Sequence, residues 1–181
     1  MKRVRMFAGP NGSGKSTIFR QIQHALRYEY RMGTWVNADE IEHQMIQEGI
    51  LDLNEFNIHP STKNFNQFKS ASSLNKKATD SKLKIDIRLE NNLIVNKNRT
   101  SNSYEAALVA AFIREQLLKN GLTFSFETVM SHVSKINVLK EAVGLGYKPY
   151  LYFICTESPE INVERVRNRV CLLYTSPSPR D

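Results

Sequence analysis

The stretch GPNGSGKST occupies residues 9–17 of the chain. It fits the pattern G-x-x-x-x-G-K-[S/T], in which glycines let successive backbone N–H groups turn toward one chain of phosphates. The lysine supplies a positive charge for the outer phosphates. The hydroxyl of Ser16 is a candidate Mg²⁺ ligand, and such an ion takes its other oxygens from phosphates and water. The pattern predicts a phosphate-binding loop made of Gly9, Pro10, Asn11, Gly12, Ser13, Gly14, Lys15, Ser16 and Thr17.

The flanks of this loop agree with the pattern, which has predictive value only between a strand and a helix. Residues 4–8 (VRMFA) form a short β-run before the loop. A helix begins near Ser16, because Ile18, Ile22 and Ala25 share one helical face. The positive end of that helix is expected to face the phosphates.

Length and composition are typical of one globular domain. The chain has 181 residues, of which 41% are hydrophobic, enough for a sizeable core. No apolar run approaches the roughly 20 residues of a membrane helix, and the N-terminus lacks the pattern of a signal peptide. Two cysteines do not form a disulfide framework, so a cytoplasmic location is expected.

The net charge of +7 is concentrated in one segment. Residues 63–99 contain three acidic residues and nine basic ones, namely Lys63, Lys69, Lys76, Lys77, Lys82, Lys84, Arg88, Lys97 and Arg99. Such a surface attracts nucleic acid or a phosphorylated small molecule, or is an ordinary solvated face. Nucleic acid is the less favoured partner, because the only aromatic residues of the segment are Phe65 and Phe68 at its start.

The last eleven residues, CLLYTSPSPRD (171–181), resemble the translation of a transposase adapter used to prepare sequencing libraries. We expect this tail to be non-native and exclude it from the fold prediction. The predicted domain covers residues 1–170, with a polar, basic insertion at residues 52–100.

Strands and helices are predicted to alternate along this domain. A second strand ends near residue 37, and a short helix carrying Ile41, Met45 and Ile46 follows and stops near Gly49. Within the insertion, alternating apolar residues at 83–89 indicate a strand. Asn102 and Glu105 form a candidate capping box for a helix that ends near residue 119.

The rest of the domain continues the alternation. A strand is predicted at residues 124–128, and a helix follows through Val133, Ile136, Leu139 and Val143. The apolar run 150–155 predicts a parallel strand buried on both faces. Ser158 and Pro159 suit the start of a last helix. The alternation predicts an α/β fold with a mainly parallel sheet and helices on both faces.

Polar residues follow the predicted strands, where ligands bind in such sheets. Asp39 is a candidate base that accepts the proton of an acceptor hydroxyl, or else the cap of the following helix. Glu127 and Thr128 end the next strand. Glu127 is either a substrate contact or a partner of Lys15 and Mg²⁺.

Arginines of the last helix are candidates for stabilising the charge on a transferred phosphoryl group. Arg165 and Arg169 are four residues apart and share a face, which favours them over Arg167. A solvated helix face is the alternative. His132 is more readily explained as a structural residue or a cap than as a catalytic one.

The ordered set of motifs resembles the zeta-toxin family of P-loop kinases. The matching segments are GPNGSGKST (9–17), NADEI (37–41), NSYEAAL (102–108), FETVMSH (126–132) and PEINVERVRNRV (159–170). The resemblance implies a P-loop kinase-like three-layer sandwich and an ATP- or GTP-dependent kinase. The best-known members phosphorylate UDP-N-acetylglucosamine and are inhibited by a small helical antitoxin.

By the same resemblance, Asp39 is the catalytic base, Glu127 a substrate contact, and Lys15 and Ser16 the phosphate and Mg²⁺ residues, while Arg165 or Arg169 lies in an arginine-bearing lid helix. Two rival functions remain: a kinase of nucleic-acid ends, and a binding module switched by its nucleotide. The insertion at 52–100 is longer than the kinase core needs, so we expect acceptor specificity to depend on it.

Overall fold

The structure is a computed structural model that describes residues 1–25, 32–97, 99, 101–129 and 134–175, the side chains of residues 134 and 169–175 excepted. Its strands are β1 (Arg3–Ala8), β2 (Thr34–Val36), β3 (Ile50–Asp52), β4 (Arg88–Glu90), β5 (Leu93–Val95), β6 (Phe124–Thr128) and β7 (Lys148–Phe153). Its helices are α1 (Lys15–Ala25), α2 (Ala38–Glu48), α3 (Thr62–Ala71), α4 (Ser73–Asp80), α5 (Ser103–Lys119), α6 (Ser134–Gly144) and α7 (Pro159–Thr175). A 3₁₀ helix spans Leu53–Phe56.

The strands form two sheets. The larger sheet is mainly parallel and has the order β2-β6-β1-β7. The smaller sheet is antiparallel and has the order β3-β5-β4. Ile94 of the central strand β5 pairs with Leu51 of β3 on one side and with Leu89 of β4 on the other. Seven helices accompany the sheets in the described part of the chain, so the predicted α/β fold is confirmed. None of the described helices is long and apolar enough to cross a membrane.

The chain divides into two compact units, and the first comprises Met1–Arg3 and Gly33–Ser125. Helix α5 is its centre and packs against α2, α3 and α4. The Phe112 ring of α5 lies 5.0 Å from Phe65 and 5.3 Å from Phe68 of α3, measured between centroids. The helices within residues 52–100 therefore share a hydrophobic core with α5. Helix α2 ends as predicted at Gly49, whose φ of 75° is left-handed.

The predicted capping box at the start of α5 is present. The Asn102 side chain accepts hydrogen bonds from the N–H groups of Tyr104 and Glu105, and the Glu105 carboxylate accepts one from the Asn102 backbone. Glu105 is 1% exposed and also accepts from the Asp86 N–H and, at 2.7 Å, from Asn96 Nδ2. Burial raises the pKa of the Glu105 carboxyl, and these hydrogen bonds oppose that rise.

The strand predicted at residues 83–89 is wrong over most of its length. Only β4, Arg88–Glu90, belongs to a ladder, and Leu83 is 42% exposed. The backbone before β4 is satisfied by side chains instead of by a neighbouring strand. The Lys84 carbonyl accepts from Asn102 Nδ2 at 3.1 Å, and the Ile87 carbonyl from Lys69 Nζ at 2.9 Å. Alternating apolar residues thus occur here without strand pairing.

The second unit comprises Val4–Met32 and Phe126–Asp181. Its centre includes Phe7, which contacts Phe19 of α1 edge-on at 5.4 Å and stacks on Tyr152 of β7 at 4.7 Å. Strand β7 was predicted to be buried on both faces, and this prediction is wrong. The strand lies at the end of the sheet order, and Leu151 and Phe153 are 49% and 63% exposed. Its side chains alternate, so the side that carries Tyr152 is covered and the opposite side is not.

Candidate active site

The loop of residues 9–17 joins β1 to α1, as predicted. Backbone hydrogen bonds hold both ends of this loop. The Gly9 N–H donates to the Thr128 carbonyl at 3.3 Å. The Ile18 N–H donates to the Gly14 carbonyl at 2.9 Å, which extends the first turn of α1 back into the loop. The N-terminus of α1 therefore opens directly onto the loop, as an anion-binding loop requires.

Two glycines of the loop are required by close backbone approaches. A methyl group at Gly12 would lie 2.6 Å from the carbonyl oxygen of Asn162, and Gly12 has a φ of 79°. A methyl group at Gly9 would lie 2.0 Å from the carbonyl oxygen of Ile154. A side chain at Gly9 would collide with the main chain just after β7, and a side chain at Gly12 would collide with the main chain of α7.

Lys15, Ser16 and Glu127 form one polar cluster, named here the loop cluster. The Lys15 ammonium is buried, donates to the Pro10 carbonyl at 2.8 Å and lies 3.5 Å from Glu127 Oε1. The Ser16 hydroxyl donates to Glu127 Oε2 at 2.6 Å. These contacts favour the interpretation in which Glu127 is a partner of Lys15, and they add Ser16 as a second partner. A role of Glu127 toward substrate stays a prediction.

The loop cluster suits a hard divalent cation. Ser16 offers a hydroxyl and Glu127 a carboxylate, both oxygen donors of the kind that Mg²⁺ takes. Among the described residues no group of three or more His, Cys, Asp or Glu could hold a metal ion by itself.

Helix α7 approaches the loop through its first turns. Arg165 Nη1 donates to the Gly12 carbonyl at 3.3 Å, although the side chain is largely exposed. Asn162 presents its backbone carbonyl to Gly12, a contact that sequence reasoning missed because no side-chain pattern encodes it. The side chain of Arg169 and all of His132 lie outside the described residues, and their roles stay predictions.

The remaining loop residues differ in exposure. Asn11 and Thr17 are exposed, whereas Ser13 is 5% exposed. Thr128 contributes its carbonyl to the Gly9 contact described above. A substrate role of the Thr128 side chain stays a prediction.

Asp39 lies in the first unit, in the first turn of α2, and is exposed. The alternative that Asp39 caps this helix is wrong. The cap is Asn37, whose Oδ1 accepts the Asp39 N–H at 2.9 Å. The Asp39 carboxylate is thus not committed to capping, and the sequence signal for the true cap was the Asn two residues earlier.

Glu42 is a second carboxylate on the same side of α2, three residues after Asp39, and sequence reasoning missed it. Burial raises the pKa of the Glu42 carboxyl, and the negative charge of Asp39 raises it further. The i, i+3 spacing was the signal that could have found this pair.

Comparisons with known proteins address the fold. No family model matches the chain, and no curated protein matches it. The chain is similar in fold to solved structures. One of them is the crystal structure of a "putative kinase" from Chloroflexus aurantiacus, with a TM-score of 0.53 and 12% sequence identity, covering 97% of this chain and 71% of that one. At this identity the likeness shows a shared α/β fold, in agreement with the architecture described above.

Proposed function

We propose that the protein is a kinase that transfers the γ-phosphoryl group of ATP to a hydroxyl of a small molecule. The loop cluster is the observation that carries this proposal. A buried ammonium, a hydroxyl and a carboxylate lie at the start of α1, on a loop whose sequence matches the phosphate-binding pattern. The fold shared with the Chloroflexus aurantiacus protein supports the proposal.

In this proposal the residues of the second unit bind the donor. The backbone N–H groups of the loop and Lys15 bind the phosphates of ATP, with GTP as the alternative donor. Mg²⁺, held by Ser16 and phosphate oxygens, would neutralise charge on the β- and γ-phosphates. Glu127 fixes the Ser16 hydroxyl and balances the charge of Lys15. Arg165, with Arg169 as the second candidate, stabilises the charge on the transferring group.

Transfer also needs an acceptor hydroxyl and a group that takes its proton. The acceptor oxygen forms a bond to the γ-phosphorus while the bond to the β-phosphate oxygen breaks, and ADP leaves. We propose that Asp39 accepts the proton, because its carboxylate is not used for capping α2. The leading acceptor is UDP-N-acetylglucosamine, with Glu127 and Thr128 as candidate substrate contacts. A small helical antitoxin is the protein partner, and the reaction takes place in the cytoplasm.

A direct test follows label from donor to acceptor. The protein is incubated with γ-labelled ATP, Mg²⁺ and UDP-N-acetylglucosamine, and Asp39→Ala serves as the control. We expect label in the sugar nucleotide with the wild-type chain and not with the variant. Hydrolysis of ATP without transfer to this or any other hydroxyl acceptor would contradict the proposal and favour a nucleotide-operated switch.

A kinase of nucleic-acid ends is the second candidate. The observation in its favour is the basic segment 63–99, where eight of the nine basic side chains are exposed and Lys69 is engaged with the Ile87 carbonyl. Binding to short oligonucleotides that weakens steeply with salt would support this candidate. Binding that is insensitive to salt would exclude it.

A further inference from the structure

A cleft of about 280 Å³ opens on the first unit beside the start of α2. Strand β2 contributes Trp35, α2 contributes Glu40 and Gln44, and the 3₁₀ helix contributes Glu55 and Phe56. Asn37 lines the same cleft while its side chain accepts the Asp39 N–H. The cleft therefore shares one residue with the turn that carries the proposed base.

The wall that carries Glu55 and Phe56 is held in place by hydrogen bonds. Asp52 caps the 3₁₀ helix by accepting the Asn54 N–H at 2.8 Å. Asn92 donates from Nδ2 to Asn54 Oδ1 at 2.8 Å, and its carbonyl accepts the Leu53 N–H at 3.0 Å. Because the walls are formed by ordered elements, the cleft is preformed, as small-molecule sites commonly are.

The lining has the chemistry of a site for a hydroxylated ring. Aromatic faces pack against the apolar face of such a ring, and carboxylates and amide oxygens accept hydrogen bonds from its hydroxyls. No Lys or Arg belongs to the lining of this cleft as the described residues form it. Glu40 and Glu55 would repel a phosphate, so the cleft is a poor site for a nucleotide phosphate or a nucleic-acid backbone.

We propose that this cleft binds the uncharged, hydroxyl-bearing ring of the acceptor, with Trp35 as the apolar platform and Glu40 and Glu55 as hydrogen-bond acceptors. Any phosphate of the acceptor then lies outside the cleft. This inference rests on the proposed function for the meaning of "acceptor", and the binding itself is independent of catalysis. It assigns acceptor recognition to β2, α2 and the 3₁₀ helix, and not to the basic side chains of residues 63–99.

Trp35 is the single tryptophan of the chain, so its fluorescence reports directly on the cleft. The full chain is titrated, without ATP, with glucose, N-acetylglucosamine, galactose, ribose and inositol, and the tryptophan emission is recorded. We expect a saturable change with at least one of these rings. The 1-phosphate of the ring that binds is then titrated, and we expect it to bind no more tightly than the neutral ring.

Two variants locate the response. Glu55→Gln and Glu40→Gln each exchange a charged acceptor for a neutral amide and are expected to weaken ring binding about tenfold. Glu115→Gln is the matched control, because Glu115 is a glutamate of the same unit that lines a different cleft, between α3 and α5, and is expected to leave the titration unchanged. Equal effects of all three variants would overturn the assignment.

The outcomes separate this inference from the proposed function. No saturable response to any neutral ring, or a response confined to phosphorylated compounds or oligonucleotides, overturns the cleft assignment. If label transfer from γ-labelled ATP is still observed, the kinase proposal stands without this cleft. If the rings bind but no transfer to any hydroxyl occurs, the cleft assignment stands and the kinase proposal fails.

Discussion

The Ser16 hydroxyl donates a 2.6 Å hydrogen bond to Oε2 of Glu127, while the other carboxylate oxygen lies 3.5 Å from the Lys15 ammonium. One carboxylate at the end of β6 thus holds both side chains of the loop that are expected to meet phosphate and Mg²⁺. In the proposed function this carboxylate would pre-orient both side chains before the donor binds, and it would place a negative charge close to where the outer phosphates are expected.

Exchange of Glu127 for Gln tests this double role. Removal of the negative charge should let Mg²⁺-free ATP bind about threefold to tenfold more tightly, because one repulsive charge is gone. The gain in affinity on adding Mg²⁺ should shrink. Equilibrium binding of ATP with and without Mg²⁺ measures both effects. Glu157→Gln, an exposed glutamate of the same unit, is the control. An unchanged Mg²⁺ effect in Glu127→Gln would contradict the assigned role.

Lys15→Ala should weaken ATP binding and lower the rate of transfer together. The buried ammonium would no longer meet the phosphates, and a charged hydrogen bond is worth about 1.5–3 kcal/mol, so a loss of about 10- to 100-fold in affinity is expected. Binding and single-turnover transfer are measured on the same preparation. Lys148→Ala removes an exposed lysine of the same unit and should change neither quantity. Intact ATP binding in Lys15→Ala would mean that the loop does not bind the donor phosphates.

Asp39→Asn should slow transfer by at least about 100-fold, as loss of a general base does, and leave ATP affinity within about twofold. The same substitution should also change the pKa of a neighbouring carboxyl, which can be measured independently of activity. Because the charge of Asp39 raises the pKa of the Glu42 carboxyl, the Glu42 pKa should fall in the variant, which an NMR titration measures. A parallel loss of ATP affinity and rate would argue against the base.

Gly12→Ala and Gly14→Ala form a matched pair for the contact between the loop and α7. Both residues have positive φ, 79° and 91°, so both alanines carry similar backbone strain. Only Gly12 faces the Asn162 carbonyl, at 2.6 Å from the added methyl group, whereas no atom lies within 4 Å at Gly14. We expect Gly12→Ala to lower the free energy of unfolding by about 1–2 kcal/mol more than Gly14→Ala. Thermal unfolding without nucleotide is the measurement, and equal shifts would mean that α7 does not rest on the loop.

The buried carboxyl of Glu105 gives a prediction for pH dependence. Its pKa is raised in the folded state from an ordinary value of 4.5, so the folded protein holds this proton more tightly than the unfolded chain. The contribution of Glu105 to the free energy of unfolding is therefore fully present below about pH 4.5 and is lost as pH rises through the folded-state pKa.

Glu105→Gln removes this titration. The free energy of unfolding of the wild-type chain, relative to that of the variant, should fall as pH rises above about 4.5. The fall is at most about 1.4 kcal/mol per pH unit. Denaturant unfolding at several pH values measures it. A difference that rises with pH would mean that the folded-state pKa of Glu105 is lowered.

Much of the fold could be predicted from local signals. The strand, glycine loop and helix at the N-terminus follow from residues that are close in sequence. So do the Gly49 stop and the box formed by Asn102 and Glu105, because capping depends on neighbours three or four residues away. Each of these predictions agrees with the structure.

The predictions that failed depended on distant partners. Residues 83–87 alternate like a strand, but their backbone groups are bonded by Asn102, Glu105 and Lys69. The run 150–155 reads as a central strand, but its position at the sheet edge is set by which strands pair with it. Neither fact can be obtained from a window of sequence.

For the candidate site, the sequence by itself determined the residue types: a loop that matches the phosphate-binding pattern, carboxylates after two strands, and arginines on the last helix. These follow from spacing, since the chemistry of a phosphate loop requires glycine, lysine and a hydroxyl at fixed separations. Tertiary structure alone decided which atoms meet. It brought Glu127 to Ser16 across 111 positions of the chain, left Asn37 and not Asp39 to cap α2, and formed the cleft at Trp35 and Glu55. The physical reason is that burial, strand order and close backbone approach are properties of the packed chain, and no short stretch of sequence contains them.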